Sequence, residues 1–214
     1  MGALRVRVLE GLQAYLPVWH KMQAFTANRT SETPDEIWIL QHEPVFTLGR
    51  NGRMEHVLAS GDIPVIPIDR GGQVTYHGSG QLIVYLLLDL RRKSLGIRQV
   101  VEAIEQAIIA FLAEHQVLAL GDRKAPGVYV DGKKIAALGL RVSKSCTYHG
   151  LSLNVAMDTE PFTRINPCGY AGLQVTQCQE LGIRLSVMEV ASEVATQLAR
   201  QLDYDLLEWM PDPP

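Results

Sequence analysis

A mixed α/β fold, with helices packed on a mixed β-sheet, is predicted by three features of this 214-residue chain. Short apolar strand patterns come in two blocks, amphipathic helix patterns lie between and after them, and strict β-α-β alternation is absent. The first block opens with Leu4, Val6 and Val8, which alternate with polar neighbours as one face of a strand does. Leu12, Tyr15, Leu16, Trp19, Met22 and Phe25 then recur at steps of three and four, which predicts a helix with those six inward. Strands are predicted over 37–40, 45–48 and 65–68, and a longer apolar strand over 81–88. A helix over 97–115 carries Ile97, Val100, Val101, Ile104, Ile108, Phe111 and Leu112 on one face. The second strand block covers 127–130, 134–142 and 148–155. A last helix starts near Ser186, which with Glu189 has the spacing of a capping box, and turns Val187, Val190, Val194, Leu198 and Leu202 inward.

Bulk composition narrows the function. With 47% hydrophobic and 20% charged residues the chain supports a sizeable core, and its length suits one domain over 1–214. A net charge of -3 argues against nucleic acid as a partner. The three cysteines, at 146, 168 and 178, form no close pair, so a reducing compartment is expected rather than a disulfide framework. The first twenty residues lack the apolar core of a signal peptide, and the run LIVYLLLDL is too short to span a bilayer. A cytoplasmic monomer with no membrane contact is expected.

Three stretches carry chemistry. In DRGGQVTYHGSGQ, residues 69–81, glycines at 71, 72, 78 and 80 let backbone approach a ligand, and Arg70 and His77 bracket them with donors. A Gly-rich hairpin with a structural histidine fits the same residues equally well; a P-loop does not, since GxxxxGK[ST] is missing. In GVYVDGKKIAALGLR, residues 127–141, Asp131-Gly132 reads as a hairpin turn before an apolar strand. Alternation sends Lys133 and Lys134 to opposite faces, one to solvent and one to the covered side, where lost hydration favours a neutral, proton-accepting amine. In INPCGY, residues 165–170, Cys168 stands in a loop between proline and glycine, presented for nucleophilic attack, with the Gly169 and Tyr170 amides free to face an oxyanion. Cys146 and Cys178 lack that setting and read as structural. Six histidines raise the question of a metal, but no HExxH, CxxC or HxH spacing occurs, so none is expected; His20 and His115 read as surface groups on helices.

Taken in order, QHEPVFTLGR, RGGQVTYHGSGQ, GKKIAALGLR, HGLSLNV and RINPCGY resemble the lipoyl(octanoyl) transferases, over most of the chain from Gln41 to Tyr170. That resemblance implies the fold of the biotin and lipoate protein ligases, a class II synthetase-like catalytic domain. It implies transfer of octanoyl (or lipoyl) from acyl carrier protein to a lysine of lipoyl domains of 2-oxoacid dehydrogenases or of the glycine-cleavage H protein, with no ATP, metal or other cofactor. By position, Cys168 would be the acyl-thioester nucleophile and Lys134 its proton partner. The substrate-binding stretches map onto Arg70, Gly71, Gly72, Gln73, Val74, Thr75, Tyr76 and His77, onto Ala137, Leu138 and Gly139, and onto Gly150, Leu151 and Ser152. This chain has HGSG where the family has HGPG, so Ser79 loosens the restraint that a proline would place on that loop. Ala136, Ala137, Leu138 and the run 82–88 are candidate walls of an acyl tunnel, and Arg91, Arg92, Lys93, Arg141 and Lys144 a candidate docking surface for acidic partners. An ATP-dependent lipoate or biotin ligase, a thioesterase and a non-catalytic lipoyl-domain adaptor are the alternatives.

Overall fold

The computed structural model of the protein describes residues 2–122 and 125–210. Its frame is set by two strands, β6 (Gln81–Leu87) and β10 (Cys146–Asn154), buried along their whole length. Successive side chains of a strand point to opposite faces, so a continuous apolar run is stable only where both faces are covered. On one face Leu82, Val84 and Leu86 pack with helices α2 (Ile97–Glu114) and α3 (Val187–Gln201). On the other, Ile83, Tyr85 and Leu87 pack with Val18 and Met22 of α1 (Tyr15–Ala27).

Around this pair, β1 (Ala3–Gln13), β2 (Asp35–His42), β7 (Leu120–Gly121), β8 (Gly127–Val130), β9 (Lys133–Ser143) and β11 (Leu206–Met210) complete an eight-stranded sheet in the order β11-β1-β2-β6-β10-β9-β8-β7. β1 runs parallel to β2 and β11; the pairs from β2 to β7 are antiparallel, so the sheet is mixed. A second sheet, of order β4-β3-β5, joins β3 (Val45–Leu48), β4 (Val65–Pro67) and β5 (Val74–His77) over its own apolar cluster. Among the described residues no helix is long and apolar enough to cross a membrane.

The structure corrects several local expectations. The first helix begins at Tyr15, because β1 continues past a register shift at Gly11 and pairs Leu12 with Gln41 and Gln13 with His42. Leu12 and Leu16 are therefore exposed, and the buried stripe is Tyr15, Val18, Met22 and Thr26. On α2, Ile97 is exposed and Val101 only half-buried, whereas Ala103 and Ala107 are buried against α3; hydrophobic bulk is a poor guide where small residues let helices approach. β7, β11 and β5 have no counterpart among the expected strands. β5 pairs with β3 and β6 with the large sheet, so the Gly-rich stretch crosses between two sheets and is not a hairpin. The predicted capping box is present: Glu189 N–H donates to Ser186 Oγ (3.3 Å) and Ser186 N–H to Glu189 Oε2 (2.7 Å).

The crossing turn is held by Gly80. Its N–H donates to Gln41 Oε1 at 2.8 Å, and its carbonyl accepts from the amides of Val155 and Ala156. Ser79 is exposed beside it, so the turn is fastened by these bonds without a proline. Gly80 has φ +82°, and a Cβ there would lie 1.9 Å from the Ala156 carbonyl oxygen. Gly80→Ala should lower the unfolding free energy by about 2 kcal/mol or more, measured by denaturant titration. A loss under about 0.5 kcal/mol would contradict this packing.

Candidate active site

Lys134 is placed by a turn and a zipper. Asp131 and Gly132 both have positive φ (49° and 77°), the conformation of a two-residue hairpin loop, and Val130 pairs with Lys133 across it. Lys133 is exposed while Lys134, one step on, is 3% exposed, as alternation predicts. The Lys134 amide donates to the Gln174 carbonyl (2.9 Å) and its carbonyl accepts from Thr176 N–H (3.0 Å), which stitches the segment after Cys168 onto β9. Its amine nitrogen lies 2.9 Å from Cys168 Sγ and 3.2 Å from the Pro126 carbonyl oxygen, over the Tyr129 ring at 5.0 Å from the centroid. Gly127 makes room for this amine: a Cβ there would sit 2.9 Å from Lys134 Cε.

Cys168 is half-buried at the centre of a 3₁₀ turn, Pro167–Gly169, with φ 57° and ψ 15°. A side chain in this left-handed region costs roughly 1 kcal/mol, so the surroundings must enforce it. They do so upstream, where Leu58 and Ala59 donate to the Arg164 carbonyl and Asn166 N–H donates to the His56 carbonyl at 2.8 Å. The amides expected to face an oxyanion are not free. Gly169 N–H donates to Asn166 O (2.9 Å) and Tyr170 N–H to Pro167 O (3.1 Å), because the turn uses both to close itself.

Burial pushes the Lys134 amine down, but its electrostatic interaction and hydrogen bond with Cys168 and its contact with Tyr129 outweigh burial and leave its pKa above the usual lysine value. That direction runs against the neutral amine expected from burial alone and favours the ammonium.

Cys168 stands at a cavity whose walls include every predicted binding residue except Gly71 and Tyr76. Arg70, Gly72, Gln73, Val74, Thr75 and His77 come from the stretch leading into β5, Ala137, Leu138 and Gly139 from β9, and Gly150, Leu151 and Ser152 from β10. Gly71 instead donates its N–H to the Leu140 carbonyl, and Tyr76 turns into the small-sheet core against Phe46 and Phe162. Of the proposed tunnel walls, Ile83, Tyr85, Ala137 and Leu138 line the cavity. Ala136 and residues 82, 84, 86 and 88 face the α2–α3 core, and Leu87 packs on α1. Arg70 is locked by bonds to Gly71 O, Thr47 O and Thr47 Oγ1, each 2.8 Å; its Nε and the Gln73 Oε1 are buried without a partner.

The far wall is a polar network around Asp69, most of whose partners lie outside the three chemistry-bearing stretches. His149 Nε2 lies 2.8 Å from Asp69 Oδ1, Tyr148 hydroxyl donates to Asp69 Oδ2, and Trp19 Nε1 donates to Asp69 Oδ1 at 2.9 Å. Burial alone would raise the Asp69 carboxyl, but the bonds from His149, Tyr148 and Trp19 hold it well below the usual carboxylate range. Tyr15 stands between His149 (3.5 Å from Nδ1) and the His42 and His77 rings. His42 donates Nδ1–H to Gln13 O and accepts at Nε2 from Tyr85 hydroxyl, at 2.8 and 2.7 Å. His77 bonds Gln81 Oε1 (2.8 Å) and Thr47 Oγ1 (3.4 Å). His42, His77 and His149 gather around Tyr15 with their nitrogens committed, while His56 sits apart beside the Cys168 turn. No group of three potential metal ligands occurs among the described residues. The signal that marks this wall is a histidine or tyrosine inside an apolar strand, where only a partnered polar group is tolerated. His20 is exposed, and His115 pairs with Glu193 at 2.7 Å.

The basic surface residues are mostly engaged within the chain. Arg91 bonds both oxygens of Asp89, Arg92 the carbonyls of Ser31 and Thr33, and Lys93 the Asp203 carbonyl while lying over the Tyr204 ring. Cys146 and Cys178 are buried structural thiols.

The mixed sheet with its packed helices is the fold of the lipoate and biotin protein ligases. A lipoate-protein ligase A with ATP bound superposes with a TM-score of 0.81 at 15% identity, over 99% of this chain and 90% of that one. Biotin protein ligase from Aquifex aeolicus gives 0.56 at 14% identity, over 93% and 69%. The sequence narrows the class: a model of the lipoyl protein ligase A/B catalytic domain matches residues 14–199, and the chain belongs to that family. Among its relatives, an octanoyltransferase of Thiobacillus denitrificans is 56% identical over 200 residues, 94% of this chain and 91% of its own. One from Shewanella sp. strain ANA-3 is 55% identical over 204 residues, 95% and 94% of the two chains.

Burial pushes His42 down to about 4, and lowers His77 and His149 from the usual histidine value. The unfolded chain takes up these protons near pH ~6.5 while the folded chain does not. The stability they contribute is complete above about pH 6.5 and is lost as the pH falls through the folded value. Unfolding free energy should decline from about pH 6.5 toward about pH 4, and His42→Gln should flatten that slope; an unchanged slope would contradict the burial of a neutral His42.

Proposed function

We propose that the protein is an octanoyltransferase that carries the acyl group on Cys168, taking it from a thioester of acyl carrier protein and passing it to a lysine amine of a lipoyl domain. The 2.9 Å contact between Lys134 Nζ and Cys168 Sγ at the edge of the cavity carries this reading. The octanoyltransferases to which the chain is about 55% identical support the acyl group. Ile83, Val74 and Leu138 offer apolar surface to an alkyl chain; at about 0.8 kcal/mol for each buried CH₂, a medium chain gains roughly 5 kcal/mol.

The proton inventory closes with Lys134 starting as an ammonium. The Cys168 thiolate attacks the donor carbonyl, the Sγ–C bond forms and the donor C–S bond breaks. The departing carrier thiolate takes a proton from Lys134 and leaves as a thiol. Lys134 is then a neutral amine beside an acyl-thioester. A neutral lysine amine of the acceptor attacks that carbonyl, the N–C bond forms and C–Sγ breaks. The nitrogen's proton goes to Lys134, and the starting ion pair is restored. Thioester-to-thioester exchange is nearly balanced in energy, and amide formation draws the second half forward. No nucleotide enters either half.

Mixing the protein with octanoyl-acyl carrier protein should add one octanoyl group by intact mass, which peptide mapping locates on Cys168. A lipoyl domain should then discharge it as acyl-lysine rather than free acid. ATP with octanoic acid should give no product; efficient product there would sustain a ligase, and release of free acid a thioesterase. Cys168→Ser should abolish transfer while retaining any binding of lipoyl domains. Lys134→Ala should slow acylation of Cys168 by about 10²–10⁴-fold. A Lys134→Ala enzyme as fast as the parent would remove the dyad.

A further inference from the structure

Separate from the cavity, with which it shares no lining residue, an open groove lies between β7 and the segment after the Cys168 turn. Its walls are Leu118, Leu120, Tyr129, Tyr170 and Leu173, with Asp131 at the rim. Leu118 is 83% and Leu120 66% exposed, a degree of apolar exposure that marks contact surfaces when the residues are contiguous. The groove borders the chemistry: the Tyr129 ring is the one beneath Lys134 Nζ, and Tyr170 follows the Cys168 turn directly. Asp131 is an exposed carboxylate in the hairpin turn, with no ion pair among the described residues.

We infer that this groove admits the acceptor's lysine side chain, a deepening that rests on the acyl-cysteine reading above. A lysine is a run of methylenes ending in a cation. The leucines suit the stem, and the two tyrosine rings suit both stem and cation. The carboxylate of Asp131 draws an ammonium toward the mouth and repels a carboxylate or phosphate on an acyl donor. The groove and the cavity share no lining residue, so an acyl chain held in the cavity leaves the groove free for the amine.

The two half-reactions separate this inference from the reading it rests on. In Leu118→Asp/Leu120→Asp and in Asp131→Asn, octanoylation of Cys168 by octanoyl-acyl carrier protein should proceed at the parental rate within twofold. Discharge of the preformed octanoyl enzyme to a lipoyl domain should slow by about tenfold or more in the double variant and by a few-fold in Asp131→Asn, chiefly through a higher KM for the domain. All three positions are exposed, and matching thermal midpoints will show that the fold is intact. Slower loading with normal discharge would mean that the groove receives the donor, and parental rates in both steps would give it no role; either overturns the inference. If the parent enzyme takes up no octanoyl at all, the acyl-cysteine reading itself falls and takes the groove with it.

Discussion

The contact between Lys134 and Cys168 depends on two legs of one loop being fastened to different parts of the protein. The leg before Cys168 is tied to residues 56–59 through the Arg164 carbonyl and the Asn166 amide, and the leg after it is zipped to Lys134 through Gln174 and Thr176. Neither leg belongs to a long element, so the turn has little intrinsic preference for its shape. Backbone hydrogen bonds supply what propensity does not, and they hold Cys168 in a left-handed conformation that a free cysteine would avoid. Since Lys134 takes part in the same zipper with its backbone, thiol and amine are positioned by one set of bonds.

The sheet divides the molecule into layers with different work. Helices α2 and α3 cover one face with a purely apolar cluster, which anchors β6 and β10. On the other face α1 packs against Ile83, Tyr85 and Leu87, and β5 of the small sheet faces β6, β9 and β10 across the cavity. The cavity lies where these covers meet, floored by Ile83 and Tyr85 from β6 and by β9 and β10 beside it. Buried polar groups there are expensive unless paired. Asp69, His149, Tyr15, Tyr85 and His42 meet that cost by bonding to one another. The groups left without partners, Arg70 Nε and Gln73 Oε1, border the cavity, where a substrate's polar atoms have room to reach them.

The charge state of Lys134 illustrates how environment decides chemistry. Desolvation and the neighbouring sulfur act in opposite directions, and the sulfur wins. This reverses the expectation drawn from an apolar strand alone, yet it simplifies the proposed cycle, since an ammonium is the form that protonates a departing thiolate.

Local rules were enough for much of this protein. Alternation separated Lys133 from Lys134, Asp131-Gly132 marked its hairpin, Ser186 and Glu189 marked a helix start, and the apolar run of β6 marked a strand. The Gly-rich and Cys168 stretches stood out because glycine, proline and a thiol placed in a loop are poor scaffold, and their order along the chain carried the family resemblance. Other features depend on partners distant in sequence. β5 and β11 are too short or too polar to be seen until β3 and β1 pair with them. α1 starts at Tyr15 only because β1 needs Leu12 and Gln13 for β2. The amides of Gly169 and Tyr170 are consumed by their own turn, and Tyr15 joins His42, His77 and His149 through side-chain contacts that no spacing encodes. Periodicity and turn chemistry act over a few residues and are written in the chain; which buried groups neutralise one another is settled only when distant strands come to lie side by side.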